Sequence, residues 1–164
     1  DHADSNYKMT KERLIDHVAL PSENVHRVLG ENDPSEEAAR YASEITQHLP
    51  SENGWPVFEM MLLGMGGDGH TASIFPNNLI LLTSDRVCDI ASHPESGQIR
   101  VTVTGHVINH SRNIAFLVTG ASKTDKVREI FKKEEDYLQY PAAHVSAVNG
   151  HLSWYMDHAA SAEL

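Results

Sequence analysis

An α/β fold, with a mainly parallel sheet flanked by helices, is predicted by three features of this 164-residue sequence. Short apolar or β-branched runs of strand length alternate with segments that carry helix signals. The run from Phe58 to Leu63 has the pattern of a strand buried on both faces, as strands of parallel sheets are. That run empties directly into Gly64, Gly66, Gly67 and Gly69. A glycine-rich turn at the carboxyl end of such a strand is where ligands sit in these sheets.

The elements follow in order. Thr10 to Val18 reads as a short amphipathic helix. Asp33-Pro34-Ser35-Glu36 is a helix start, with Asp as N-cap and Pro at the first helical position, and that helix runs to about His48 before Pro50. Ser51 to Pro56 reads as a loop. Strands are expected at Phe58–Leu63, Arg86–Ile90, Ile99–Thr104 and Asn113–Val118; Arg100 to Thr104 alternates with β-branched residues as a half-buried strand does. A helix from about Ser122 to Lys133 places Val127, Ile130 and Phe131 on one face. Val145–Val148 and Leu152–Tyr155 read as a closing hairpin around Asn149-Gly150.

Composition bounds the function. Apolar residues at 40% and charged residues at 22% are ordinary for one globular domain, expected over residues 1–164. A formal net charge of −10 argues against nucleic acid or an anionic membrane as general partners, yet leaves room for a small anionic substrate at a local basic cluster. Cys88 is the only cysteine, which excludes an intrachain disulfide and favours a reducing compartment. No apolar run approaches a membrane span of about 18 residues. The sequence starts at Asp1 without an initiator Met, as a fragment or processed piece would.

Asp68 and His70 flank Gly69 inside the glycine cluster. An Asp that accepts a hydrogen bond from one imidazole nitrogen fixes the tautomer and leaves the other nitrogen free as a base. Gly64 to Gly69 also satisfies the dinucleotide pattern G-x-G-x-x-G, with Asp89 about 20 residues on. Against that reading, Pro76 leaves no room for the helix a pyrophosphate needs, and Asp68 would set a carboxylate beside it. The bland alternative is a solvated turn with no chemistry. His106 and His110 are spaced to share a helix face, but no Glu follows His106, so the zinc-protease pattern is absent and they read as surface residues. Ser73 lacks the G-x-S-x-G elbow of a serine hydrolase. Trp154 and Tyr155 read as core or edge residues.

The segment Gly64-Met65-Gly66-Gly67-Asp68-Gly69-His70-Thr71-Ala72-Ser73-Ile74-Phe75-Pro76 resembles the signature of the 6-phosphogluconolactonases. Asp4-Ser5-Asn6-Tyr7, Arg100 to Thr104, Asn109, Gly120-Ala121-Ser122-Lys123 and Leu152 to Asp157 resemble further segments of that family. The resemblance implies a Rossmann-like domain and the hydrolysis of 6-phospho-D-glucono-1,5-lactone to 6-phospho-D-gluconate in the oxidative pentose phosphate pathway, with no metal and no cofactor. His70 would then be the general base, Asp68 its holder, and the backbone of Gly66, Gly67 and Gly69 an oxyanion and substrate contact. Arg100 and Lys123 would recognise the phosphate. The same superfamily contains amino-sugar-phosphate isomerases and deaminases, whose motif continues to a catalytic Glu; Ile74-Phe75-Pro76 has no acid there, which favours the lactonase.

Two departures from the family stand out. Its N-terminal segment, with a phosphate turn and an acidic-arginine motif, does not precede Asp4, so a truncated domain is expected, with an exposed apolar sheet edge. Such a fragment would be poorly active, an inactive sugar-phosphate binder, or part of a larger or bifunctional polypeptide. The loop His93 to Gln98 replaces a proline-rich approach to the Arg100 strand. The expected compartment is the cytoplasm, with the lumen of the endoplasmic reticulum as the alternative for a bifunctional hexose-6-phosphate dehydrogenase.

Overall fold

The computed structural model describes residues 5–134 and 136–164. In chain order it contains α1 (Asn6–Arg13), α2 (Pro34–His48), β1 (Ser51–Glu52), β2 (Trp55–Pro56), β3 (Met61–Leu63), β4 (Cys88–Ser92), β5 (Ile99–Val103), α3 (Gly105–Asn109), β6 (Asn113–Val118), α4 (Thr124–Lys132) and β7 (His151–Met156), joined by loops and 3-10 turns. Asp4, first residue of the Asp4–Tyr7 segment quoted above, lies outside the described residues.

The strands β3, β6 and β7 form a parallel sheet in that order, with Leu63 opposite Phe116 and Phe116 opposite Trp154. Alternation along each strand sends side chains to opposite faces. Met61, Leu63, Ile114, Phe116 and Val118 turn inward and are buried against Val107 and Ile108 of α3, Val127 of α4, and Ala142. The rings of Phe116 and Trp154 stack at 4.0 Å. Leu62, Leu117 and Tyr155 point the other way and remain 63%, 52% and 61% exposed. The expectation that Phe58–Leu63 is buried on both faces is therefore corrected: the strand is shorter, and no described element covers its outer face.

A second unit stands beside the parallel sheet. The antiparallel pair β4 and β5 packs on α2, with Ala38 and Ile45 against Cys88, Val101 and Val103. α2 has the predicted limits because Asp33 accepts from the N–H groups of Ser35 and Glu36 at 2.9 and 3.1 Å. Such a cap is worth about 1 kcal/mol. α1 starts earlier than predicted because Ser5 Oγ accepts from the Lys8 N–H, and it buries no residue that would fix an amphipathic face. The predicted loop Ser51 to Pro56 is a small hairpin, β1 and β2, turning through Asn53 and Gly54 at positive φ.

The predicted closing hairpin does not form. Only β7 is a strand, and it runs parallel to β6. The partner expected for it is held elsewhere: Asn109 Oδ1 accepts from the Ser146 N–H, and the Asn109 carbonyl from the Val148 N–H, at 3.0 and 2.8 Å. The Asn-Gly turn signal is local, and the anchoring of 146–148 on the end of α3 overrides it.

Glu37 pins the segment before α2. Its side chain is 1% exposed. It accepts from the Leu29 N–H, Asn32 Nδ2, and Arg40 through Nε and Nη2, at 2.7 to 3.0 Å. Arg40 outweighs burial, with help from Leu29 and Asn32, and holds the carboxyl at about 2, down from 4.5. A carboxyl so depressed contributes roughly 3 kcal/mol at neutral pH. Between those values the unfolded chain binds the proton first, so the contribution is complete above pH 4.5 and is lost as pH falls toward 2. Glu37→Gln should destabilise the protein by about 2–4 kcal/mol at pH 7. It should also flatten the acid loss of stability, as read by urea unfolding at each pH; parallel pH profiles for the two proteins would contradict this account.

Candidate active site

The loop from Gly64 to Thr71 leaves the carboxyl end of β3 and closes on itself. Thr71 Oγ1 donates to the Gly64 carbonyl at 2.9 Å, and the Gly66 N–H donates to the His70 carbonyl at 2.9 Å. This closure brings the imidazole back over Gly66. His70 Nδ1 lies 2.6 Å from Asp68 Oδ1, which also accepts the His70 N–H at 3.1 Å. A carboxylate only accepts, so Nδ1 carries the proton and Nε2 of the neutral ring is left as an acceptor. Burial raises the Asp68 carboxyl, but the backbone and ring hydrogen bonds from His70 outweigh it and leave it below the ordinary carboxylate range.

The glycines have distinct reasons. A Cβ on Gly66 would sit 2.1 Å from His70 Nδ1 and 2.6 Å from Asp68 Oδ1, so the imidazole occupies the space of that missing side chain. Gly69 has φ +82°, and its Cβ would meet the Tyr140 ring at 2.7 Å. Gly67 borders open space. The N–H groups of Gly66 and Gly69 donate to the His70 and Gly66 carbonyls inside the turn. Among the described residues the Gly67 N–H has no acceptor.

The segment after the turn is not a dinucleotide helix. Thr71 and Ile74 bridge, Ala72 between them takes φ +50°, and a 3-10 stretch begins at Pro76. A non-glycine residue there stores about 1 kcal/mol or more of strain. Ser73 is buried, and its N–H donates to Thr102 Oγ1 of β5 at 3.1 Å. Phe75 is fully buried and packs on the His70 ring at 4.7 Å, and the His93 ring meets Phe75 edge-on at 5.2 Å. The loop His93 to Gln98 thus reaches the His70 ring through Phe75.

The basic residues approach from neighbouring elements. Lys123 follows β6, which lies parallel to and beside β3, so its turn leaves the same end of the sheet as the glycine loop. Asp157, after β7, fixes that turn by accepting the Gly120 N–H at 3.0 Å. Arg100 lies on β5, one alternation from Thr102, and its Nε donates to Gln98 Oε1 at 3.1 Å. Among the described residues neither Lys123 nor Arg100 forms an ion pair. The structure therefore joins Asp68 and His70 directly and brings Lys123 to their end of the sheet, while the strand that carries Arg100 is tied to the segment after the turn by the Ser73–Thr102 hydrogen bond. His106 and His110 lie elsewhere, beside Trp55, with His106 stacked on it at 4.6 Å. Sequence reasoning missed Tyr140 as a neighbour of the turn; it carries no chemical motif, and only packing reveals it, as packing alone shows Phe75 against the His70 ring.

Gly66→Ala is expected to break the Asp68–His70 contact without unfolding the chain. The hydrogen-bonded Nδ1 proton of His70 should vanish from its downfield position in the ¹H NMR spectrum, with far-UV circular dichroism unchanged. Retention of that signal would show that the ring does not need the space.

Comparison with known proteins follows the same residues. A sequence profile for glucosamine-6-phosphate isomerases/6-phosphogluconolactonase matches residues 1–154. The chain is 45% identical to a 6-phosphogluconolactonase of Haemophilus influenzae over 96% of its own length and 66% of that protein's. It is 33% identical to the human 6-phosphogluconolactonase over 98% of its own length and 62% of that protein's. The chain thus spans about two thirds of the length of these curated relatives. Among solved structures, the 6-phosphogluconolactonase of Trypanosoma brucei superposes with a TM-score of 0.81 at 29% identity, over 100% of this chain and 69% of that one. A monomeric glucosamine-6-phosphate deaminase shares the fold at a TM-score of 0.77 and 18% identity, over 99% of this chain and 68% of that one. The chain belongs to the glucosamine-6-phosphate isomerase/6-phosphogluconolactonase family.

Proposed function

We propose that the polypeptide containing this chain hydrolyses 6-phospho-D-glucono-1,5-lactone to 6-phospho-D-gluconate, the lactonase step of the oxidative pentose phosphate pathway, in the cytoplasm. The observation that carries the proposal is the 2.6 Å contact between Asp68 and His70 at the carboxyl end of β3. The names of the relatives support it.

His70 Nε2 takes a proton from water as that water adds to the lactone carbonyl. The oxyanion so formed meets the free Gly67 N–H, a contact worth about 3 kcal/mol in related chemistry. Collapse of the adduct breaks the bond to the ring oxygen, and the imidazolium returns its proton to that leaving alkoxide. Asp68 steadies the imidazolium between the two transfers. Lys123, as a point charge, and Arg100, as a planar donor fork, are the proposed phosphate contacts.

Deamination or isomerisation, the other reactions of the family, fits the turn less well. The positions after Ser73 are Ile74 and Phe75, both 0% exposed, and neither supplies an acid.

Replacing His70 by Ala should lower kcat by about 10²-fold or more, measured by coupling product formation to its dehydrogenase. Wild-type turnover in that variant would remove His70 from the mechanism. Lys123→Ala and Arg100→Ala should chiefly raise KM, by about 10-fold or more if each contacts the phosphate. An unchanged KM would reassign whichever residue shows it.

A further inference from the structure

The glycine turn is gripped from below by a buried polar cluster that the lactonase reading does not use. Gly69 is the one buried residue of the Gly66–His70 stretch. Its carbonyl accepts the Ala142 N–H at 3.1 Å, and the Tyr140 ring fills the space where a Gly69 side chain would stand. Tyr140 is 5% exposed. Its hydroxyl donates to Glu129 Oε2 and accepts from Lys126 Nζ at 2.6 Å and Gln139 Nε2 at 3.1 Å. Lys126 Nζ also bonds Glu129 at 3.0 Å and stands 4.5 Å from the centre of the Tyr140 ring.

We infer that Tyr140 is a positioning residue for the Asp68–His70 pair. Its ring is the stop against which Gly69 turns, and Glu129 and Lys126 of α4 lock that ring in place.

Three features carry the inference. The contact is on the backbone of the residue between Asp68 and His70, so a shift of Gly69 moves both side chains together. The tether is specific: a phenol buried at this depth needs a partner, and two charged groups are committed to it. Burial raises the Tyr140 hydroxyl and the Glu129 bond adds to this, so it remains a donor at neutral pH. Finally, α4 begins directly after Lys123. The helix that holds Tyr140 therefore also carries the turn proposed to meet the phosphate, and it sets the distance between the two halves of the site.

A buried tyrosine could serve stability alone, and the experiment separates the two roles. It rests on the reading of His70 as general base, so one readout is independent of turnover. In the natural polypeptide, Tyr140→Phe keeps the ring and removes the tether, and it should lower kcat by about 5-fold. Tyr140→Leu removes the flat stop and should lower kcat by about 50-fold, with KM within 2-fold of wild type in both. Glu129→Ala should match Tyr140→Phe, whereas Glu129→Gln, which still accepts the phenol proton, should recover most of the activity. The His70 Nδ1 proton should shift or broaden in Tyr140→Leu and Glu129→Ala. The His110 ring, bonded to the His106 carbonyl at 2.7 Å, should not move and is the control.

Wild-type kcat per folded molecule, or an unchanged His70 signal in folded Tyr140→Leu and Glu129→Ala, would overturn the inference. If His70→Ala kept full activity, the lactonase mechanism would fall. The imidazole signal would still decide whether Tyr140 positions the ring.

Discussion

The hydrogen bond from His70 to Asp68 governs how the turn after β3 is built. Two side chains separated by one residue meet only if the backbone between them reverses, and Gly69 at φ +82° provides that reversal. The returning ring then needs a place to lie, and Gly66 provides it by having no Cβ. The Gly66 N–H bond to the His70 carbonyl closes the loop around the pair. One contact thus accounts for two glycines, while Gly64 and Gly67 stay open toward solvent.

The sheet supplies what the turn cannot. Parallel pairing of β3 with β6 and of β6 with β7 puts three strand ends side by side. The turns that follow them bear His70, Lys123 and Asp157 in that order. An imidazole and an ammonium 53 positions apart in sequence are therefore brought to one edge by register rather than by any local signal. Below that edge, Phe75 and Tyr140 hold the His70 ring and the Gly69 backbone from inside the protein.

Much of this was legible in the sequence. The Asp33 cap, β6 and the helix after Lys123 follow from local signals that tertiary packing reinforces. The Asp68–His70 pair was legible because a short spacing inside a glycine cluster leaves few geometries. The errors share a cause. The Asn149-Gly150 turn, the apolar run before Gly64 and the amphipathic face of α1 were read from local pattern, and each was decided by a distant partner or by the lack of one: Asn109 for the first, an uncovered outer face for the second, the absence of any buried α1 residue for the third. The packing around the glycines was illegible for the same reason. Sequence marks Gly66 and Gly69 as places of close approach, but only the folded chain shows that the approaching groups are the imidazole of His70 and the ring of Tyr140.

A deaminase with the same fold makes the fold a poor guide to the reaction, so the chemistry must be argued from the turn itself. Moving a proton between adjacent carbons of a sugar needs a base set over the carbon skeleton and an acid at the carbonyl oxygen. Opening a lactone needs less. The proton removed from water is the one later given to the ring oxygen, so a single imidazole serves both transfers in sequence. The proposed lactonase reading asks of the turn only an oriented imidazole, a carboxylate that holds it and a backbone N–H such as that of Gly67, and it does not call on buried Ile74 and Phe75 for a further acid.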